Sequence, residues 1–195
     1  MINFNAFPPE DNASNICGPG SEPIRAAVAA WESLARELVA KAREWKSQVS
    51  ATEGLFQGEA ARKFKAAARQ YIDWLYDHIC RAYETADSLC EAAEVYDMAV
   101  GLMVSTASIL ANRVAAWTMR ANNVFFGQFT PRIAELDAEY QEMWATNAGV
   151  MNWYQSAIHD IIAQAKTSES IPPPPVISSA RFSDVYVSEN IVIHD

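Results

Sequence analysis

The sequence predicts an all-α fold: an elongated helical bundle on a long antiparallel hairpin, with helices at about 21–53 and 59–103 and three further helices. Three observations carry this. Only 7 of the 195 residues are Gly while Ala is abundant, which argues against a sandwich or barrel of short strands. Half of the chain is hydrophobic (50%) against 20% charged, enough for a full core. The apolar residues recur at steps of three and four over long stretches, the period of an amphipathic helix.

Residues 7 to 23 are punctuation. Pro9 opens a short helical turn through about Ile16, and Gly18-Pro19-Gly20 stops it. Ser21 is a good N-cap, with Glu22 at the positive end of the helix dipole and Pro23 in the first turn. From there Ile24, Val28, Trp31, Ala35, Leu38, Ala42, Trp45 and Val49 form a heptad seam on a helix ending near Gly54. After Gly58 a second seam runs Phe64, Ala68, Tyr71, Leu75, Ile79, Ala82, Ala86, Leu89, Ala93, Tyr96, Val100 and Met103. That is about 40 residues, or roughly 60 Å of helix.

A third helix is predicted over Ala107–Ala121, with Ile109, Leu110, Val114 and Trp117 inward. Asn122 to Pro131 reads as a loop. One helix then carries Ile133, Leu136, Tyr140 and Met143 or Trp144, and a separate one starts near Asn147 with Met151, Tyr154, Ile158, Ile161 and Ile162. Pro172 to Pro175 is a polyproline spacer, so residues 1–166 are read as the helical domain and 167–195 as a spacer with a mobile tail.

A net charge of −9 and a pI near 4.8 offer no basic surface for nucleic acid or anionic lipid. Met1 to Glu10 has neither the cation nor the apolar segment of a Sec-type signal. The longest uncharged run, Met98–Asn112, is interrupted by Gly and Ser and falls short of the roughly 20 apolar residues that span a bilayer, so no stable membrane insertion is expected. Cys80 and Cys90 on one helix stand roughly 15 Å apart and cannot bridge. Cys17, Cys80 and Cys90 are expected to be thiols.

Chemistry-bearing motifs are missing: no HExxH, GxSxG, glycine-rich phosphate loop or paired-cysteine zinc spacing occurs. A carboxylate-bridged di-metal site needs Glu three residues before His, and Leu75, Ser156 and Ile191 precede His78, His159 and His194. Neither an enzyme nor a cofactor is expected. Tyr83 to Asp87 matches a short Tyr-x-x-x-Asp export pattern, but inside a long helix such a pair arises by chance.

The ordered set Pro8-Pro9-Glu10, Gly18-Pro19-Gly20, Ala30-Trp31, Trp74-Leu75, Ala111-Asn112-Arg113, Asn123, Phe126-Gly127-Gln128, Tyr140-x-x-Met143-Trp144, Met151 and Tyr154 resembles the PPE family of mycobacteria over about residues 2–160. The resemblance implies an obligate heterodimer in which the helical hairpin of a PE protein packs on the second and third helices to complete a four-helix bundle. It implies folded export through a type VII (ESX) secretion system to the cell surface or medium. It also implies capture by a cytosolic EspG chaperone at the far tip. The family's Trp-x-Gly turn appears as Phe56-Gln57-Gly58, and Phe56 and Gly58 become this chain's half of a shared secretion signal. Met103-Val104-Ser105-Thr106 replaces the usual Val-Pro-Pro, which suggests a softer or shifted bend. The chain looks like a short member, without a long variable C-terminal region.

The residues and the resemblance meet at two surfaces. Ala27, Leu34, Val39, Phe64, Ile72, Trp74 and Leu89 widen the apolar arc beyond what two helices cover, so either later helices of this chain or a separate helical hairpin must cover it. The partner surface is placed on Val28, Trp31, Leu34, Leu38 and Trp45 of one helix and Phe64, Tyr71, Leu75, Ile79 and Leu89 of the next. The chaperone surface is placed on Asn123, Val124, Phe125, Phe126, Gly127 and Gln128, whose apolar residues either plug the bundle end or bind the chaperone. Two rival readings stand beside these: an intracellular helical adaptor that is never secreted, and action on membranes after release.

Overall fold

The computed structural model describes residues 2–55, 57–124, 127–166 and 173–174. Every regular element among them is helical: a 3-10 turn Phe4–Ala6, then α1 (Pro9–Ile16), α2 (Glu22–Ala51), α3 (Glu59–Leu102), α4 (Thr106–Asn122) and α5 (Thr130–Lys166). The hairpin helices fall within two residues of the predicted bounds. Phe56, Phe125, Phe126 and, apart from residues 173–174, the spacer and tail expected at 167–195 lie outside the described residues.

The helices expected on either side of residue 146 are one element of 37 residues. Asn147 and Gly149 look like a break in the sequence. However, the Asn147 side chain is engaged elsewhere instead of capping a new helix, and Gly149 faces open space. The second seam also drifts near its end. Ala99 is buried and Val100 is 39% exposed, because a straight helix slips about 20° per heptad against a strict seven-residue repeat.

The chain divides into two compact units. The first comprises Met1–Val28 with Asp87–Thr167; the second centres on Ala29–Ala86. In the first unit, Phe4, Ile16, Ala99 and Met151 are buried together, with Tyr96, Met103, Val150 and Tyr154 packed around them. The Pro-Pro-Glu motif starts α1: Pro8 is extended (φ −61, ψ 155), as a residue before proline must be, and Pro9 fills the first helical position, where no N–H is needed. Glu10 accepts a hydrogen bond from the Tyr140 hydroxyl at 3.1 Å, and Tyr140 lies beneath the Arg113 guanidinium, 4.1 Å from the ring centre.

Between α3 and α4 the backbone breaks sharply at Met103–Ser105. Asn147, fully buried, holds the break. Its Oδ1 accepts from the Val104 N–H at 2.8 Å, while its Nδ2 donates to the carbonyls of Val104 (3.2 Å) and Pro9 (2.9 Å). Ser105 then caps α4, its Oγ accepting from the Ser108 N–H at 3.1 Å. The chain thus bends here without the prolines, the break being held by Asn147 and Ser105.

By length and composition alone, residues 59–122 hold one 18-residue stretch apolar enough to cross a membrane, at mean hydropathy 1.4. The uncharged run Met98–Asn112 in that stretch is divided between two helices by the break at Met103–Ser105.

Replacing Asn147 with Ala should destabilise the chain by about 2–4 kcal/mol, since it strands one buried donor and two carbonyls and opens a small cavity. Urea melts of Asn147→Ala against wild type in the same assembly state check this, and a loss below about 0.5 kcal/mol would refute the clamp.

Candidate partner-binding face and helical tip

In the unit Ala29–Ala86 the contact between α2 and α3 is lined mainly by methyl groups. Ala35 and Ala42 of α2 are buried, as are Ala61, Ala68, Ala82 and Ala86 of α3, with Leu75 and Ile79 the larger members. Small residues let helices approach closely, and the bulky side chains must then stand beside the seam. On α2 the flank holds Trp31 (38% exposed), Leu34 (41%), Leu38 and Trp45. On α3 it holds Phe64 (37% exposed), Tyr71 and Trp74.

The aromatic members of this flank form a ladder. Trp45 meets Tyr71 edge-on at 5.3 Å, Tyr71 stacks on Trp74 at 5.7 Å, and Trp74 contacts the His78 ring at 4.2 Å. Lys41, Glu44, Trp45, Gln48, Tyr71 and Leu75 line an open groove of about 180 Å³. The indole N–H groups of Trp45 and Trp74 are buried and find no acceptor among the described residues. Of the ten residues assigned to the partner surface, Leu75 and Ile79 lie in the α2–α3 seam and the others of this unit stand on or beside the flank. Val28 and Leu89 belong to the other unit, where both are half-buried.

Gly58, at the turn before α3, has φ +94, which a side chain would strain. At the tip, the connection between α4 and α5 is closed by Asn123: its Oδ1 accepts from the Phe129 N–H at 3.0 Å and its Nδ2 donates to Thr130 Oγ1 at 3.1 Å. Gly127 sits at φ +67, and a Cβ there would come within 3.1 Å of that same Oγ1. Val124 is 73% exposed and Gln128 is also exposed, so the loop's own polar groups hold it shut while it presents an apolar residue.

α4 corrects the sequence reading. Ile109 is buried as expected, but Leu110, Val114 and Trp117 face outward, and the inner positions are Asn112 and Ala116. The reason is polar. Asn112 donates to the Leu136 carbonyl at 3.1 Å and to Glu139 at 2.9 Å, and Arg113 pairs with Asp137 at 3.0 Å, so amide and guanidinium groups join Ile109 and Ala116 in the α4–α5 contact. Arg120 binds the same Asp137. Apolar periodicity therefore pointed to the wrong face.

Nothing in this arrangement gathers reactive groups. Among the described residues no cluster of three His, Cys, Asp or Glu side chains is placed to hold a metal, and the three cysteines are free thiols. The shifted titrations belong to packing. Hydrogen bonds from Arg120 and then Arg113 hold Asp137 below the usual carboxylate range, and Arg25, followed by Ser21, does the same for Asp97. Burial, then the bond to Glu10, raises Tyr140.

These features define a helical protein that presents an uncovered apolar flank and a polar-clamped tip. Comparison with known proteins gives the family: the PPE family model matches residues 3–166, and the chain belongs to the PPE family. It is 36% identical over 173 residues to the uncharacterized PPE family protein PPE36 of Mycobacterium tuberculosis, covering 88% of this chain and 71% of the relative. PPE family protein PPE41 of the same organism is 33% identical over 179 residues, covering 91% of each chain. Uncharacterized PPE family protein PPE45 of Mycobacterium bovis is 38% identical over 155 residues, covering 78% of this chain and 38% of the relative.

Both depressed carboxylates favour the folded state when ionised. Their contribution is complete above the unfolded-state value of about 3.9 and is lost as pH falls through their lower folded values. Asp137→Asn should therefore be less stable than wild type at neutral pH and lose less of its stability below about pH 4. Thermal melts across pH check this; parallel acid limbs would show that Asp137 carries no linkage.

Proposed function

We propose that this chain is a non-enzymatic export substrate, the PPE half of an obligate heterodimer with a PE protein. Before export an EspG-type chaperone holds its tip, and a type VII (ESX) secretion system then carries the folded pair to the cell surface or medium. Family membership supports the class. The observation that carries the pairing is the uncovered flank of the hairpin: Trp31, Leu34 and Phe64 each leave more than a third of their surface in water. Trp45 and Tyr71 beside the groove are covered only in part.

A second helical hairpin suits this flank because the exposed Trp31 and Leu34 of α2 lie one helical step apart on one face. Pairing would bury an obligate-type interface of about 2,000 Å² or more. The tip, closed by its own Asn123, offers the exposed Val124 to a chaperone without unfolding. Gly58 serves the turn that brings α3 back beside α2, next to the segment the partner would extend.

Expressed alone, the chain should be insoluble; with its cognate PE chain it should elute as a soluble 1:1 complex. A soluble, cooperatively melting chain without a partner would overturn the pairing. Trp31→Asp with Leu34→Asp changes exposed side chains and should weaken pairing by at least about 2 kcal/mol, whereas a tip variant, Phe125→Ser with Phe126→Ser, should leave pairing intact and abolish capture by the chaperone. Pull-down of both partners from one lysate separates the two effects. Unchanged capture would refute the tip assignment, and a complex that never reaches the culture filtrate would make the protein an intracellular adaptor.

A further inference from the structure

The chain is acidic as a whole, yet its charge is unevenly placed. Residues 36–69, around the turn that joins α2 to α3, hold 8 of the 15 Lys and Arg against 4 carboxylates. Six regularly spaced side chains show where much of that charge goes. Arg36 and Arg43 of α2, and Arg62, Arg69, Tyr76 and Tyr83 of α3, stand seven residues apart along their helices, and all six are exposed. Each directly follows a buried residue of the α2–α3 seam: Ala35, Ala42, Ala61, Ala68, Leu75 and Ala82. One residue turns an α-helix by about 100°, and in an antiparallel pair equal turns on the two helices point to the same side. Residues that follow the seam therefore face one side of the hairpin, and residues that precede it, such as Leu34 and Trp74, face the other. The ridge of arginines and tyrosines lies away from the aromatic flank.

We propose that this ridge is the docking surface of the chain's own C-terminal segment, residues 176–195, whose carboxylates meet the arginines and whose valines and isoleucines meet the tyrosines. Among the described residues Arg36 pairs with Glu32, while Arg43, Arg62 and Arg69 form no ion pair. A guanidinium presents its donors in a fixed fork that takes a carboxylate by two bonds at once, and three unpaired forks share this face. Tyr76 and Tyr83 beside them are 45 and 40% exposed, so the ridge joins cationic to aromatic surface.

Charge and connectivity favour this occupant. Residues 167–195 carry Glu169, Asp184, Glu189 and Asp195 against Arg181 alone, a net charge of −3. The unit that contains α5 has a net charge of −7 and repels such a segment, whereas residues 29–86 have a net charge of +1 with the surplus at the ridge. Pro173 and Pro174 belong to the hairpin's unit although they follow α5 in sequence, and Pro174 is buried. From Pro174 an extended chain covers roughly 30 Å by Asp184, comparable with the roughly 30 Å of α3 between Arg62 and Tyr83. The proposal does not rest on pairing with a PE chain, because the ridge and the flank are different faces.

Cys80 supplies the reporter. It is exposed and lies four residues after Tyr76 and three before Tyr83, so cover on the ridge slows reaction of its thiol. The measurement is alkylation of Cys80 by N-ethylmaleimide, an uncharged reagent, in the full chain carrying Cys17→Ser and Cys90→Ser, in whichever soluble form it is obtained, alone or with its helical partner. Asp184→Lys with Glu189→Lys should speed alkylation about tenfold, as should Arg62→Glu with Arg69→Glu, and so should about 0.5 M salt. All four reversals together should return the slow rate, which neither a folding defect nor altered thiol reactivity could do. Equal rates in all four proteins would overturn the proposal. Slow alkylation that requires the helical partner and ignores both pairs of reversals would also overturn it, by giving the ridge to that partner.

Discussion

One primary amide settles where the helices of the first unit can go. Asn147 pairs both backbone groups of Val104 and the carbonyl of Pro9, so the end of α3, the start of α4 and the start of α1 are tied to one position on α5. A buried break in a helix leaves donors and acceptors that cost free energy unless matched, and a primary amide, with two donor hydrogens beside an acceptor oxygen, can match one N–H and two carbonyls at once. Aspartate could not donate and leucine could do neither. The Pro-Pro-Glu motif is the other end of the same device. Pro8 forces the extended entry, Pro9 frees its carbonyl for Asn147, and Glu10 takes the Tyr140 hydroxyl. The motif that marks the family is thus a structural anchor, remote in chemistry from any reaction.

The second unit follows from an economy of side-chain volume. Alanines in the α2–α3 seam draw the helices together, and tryptophans, tyrosines and leucines cannot fit between them. They are displaced to the flank, where Trp31, Leu34 and Phe64 stay partly exposed among the described residues. The partly covered ladder from Trp45 to His78 is a consequence of the narrow seam, and so is the groove beside it. A wide seam of leucines would have buried its own bulk and left less for a partner.

Much of this was legible because period and punctuation speak directly about helices. Ser21, Gly54 and Gly58 are cap and turn residues whose backbone needs are local, and the boundaries they mark fall within a few residues of those observed. What could not be read is where polar groups replace apolar ones in packing. Asn147 looks like a stop signal until Val104 and Pro9 are seen beside it, and those partners lie 43 and 138 residues away in sequence. The hairpin flank was half legible: an arc too wide for two helices is visible in the spacing, but which members lie in the seam depends on the alanines opposite.

The inversion of α4 shows why the rule fails where it does. A helix turns inward the face that gains most from leaving water, and for most sequences that face is the apolar one. On α4 the gain from the alternative is larger, because Asn112 and Arg113 together meet the Leu136 carbonyl, Asp137 and Glu139, groups on α5 that would otherwise compete for water. Charge-assisted bonds of this kind are individually comparable to the transfer of one leucine, and here several act together on one face of the helix. Once the polar face is committed inward, Leu110, Val114 and Trp117 have only the outside left. A strip that is costly to expose is thus created by the same network that packs α4 onto α5, so its loss could not be traded away without dismantling the tip.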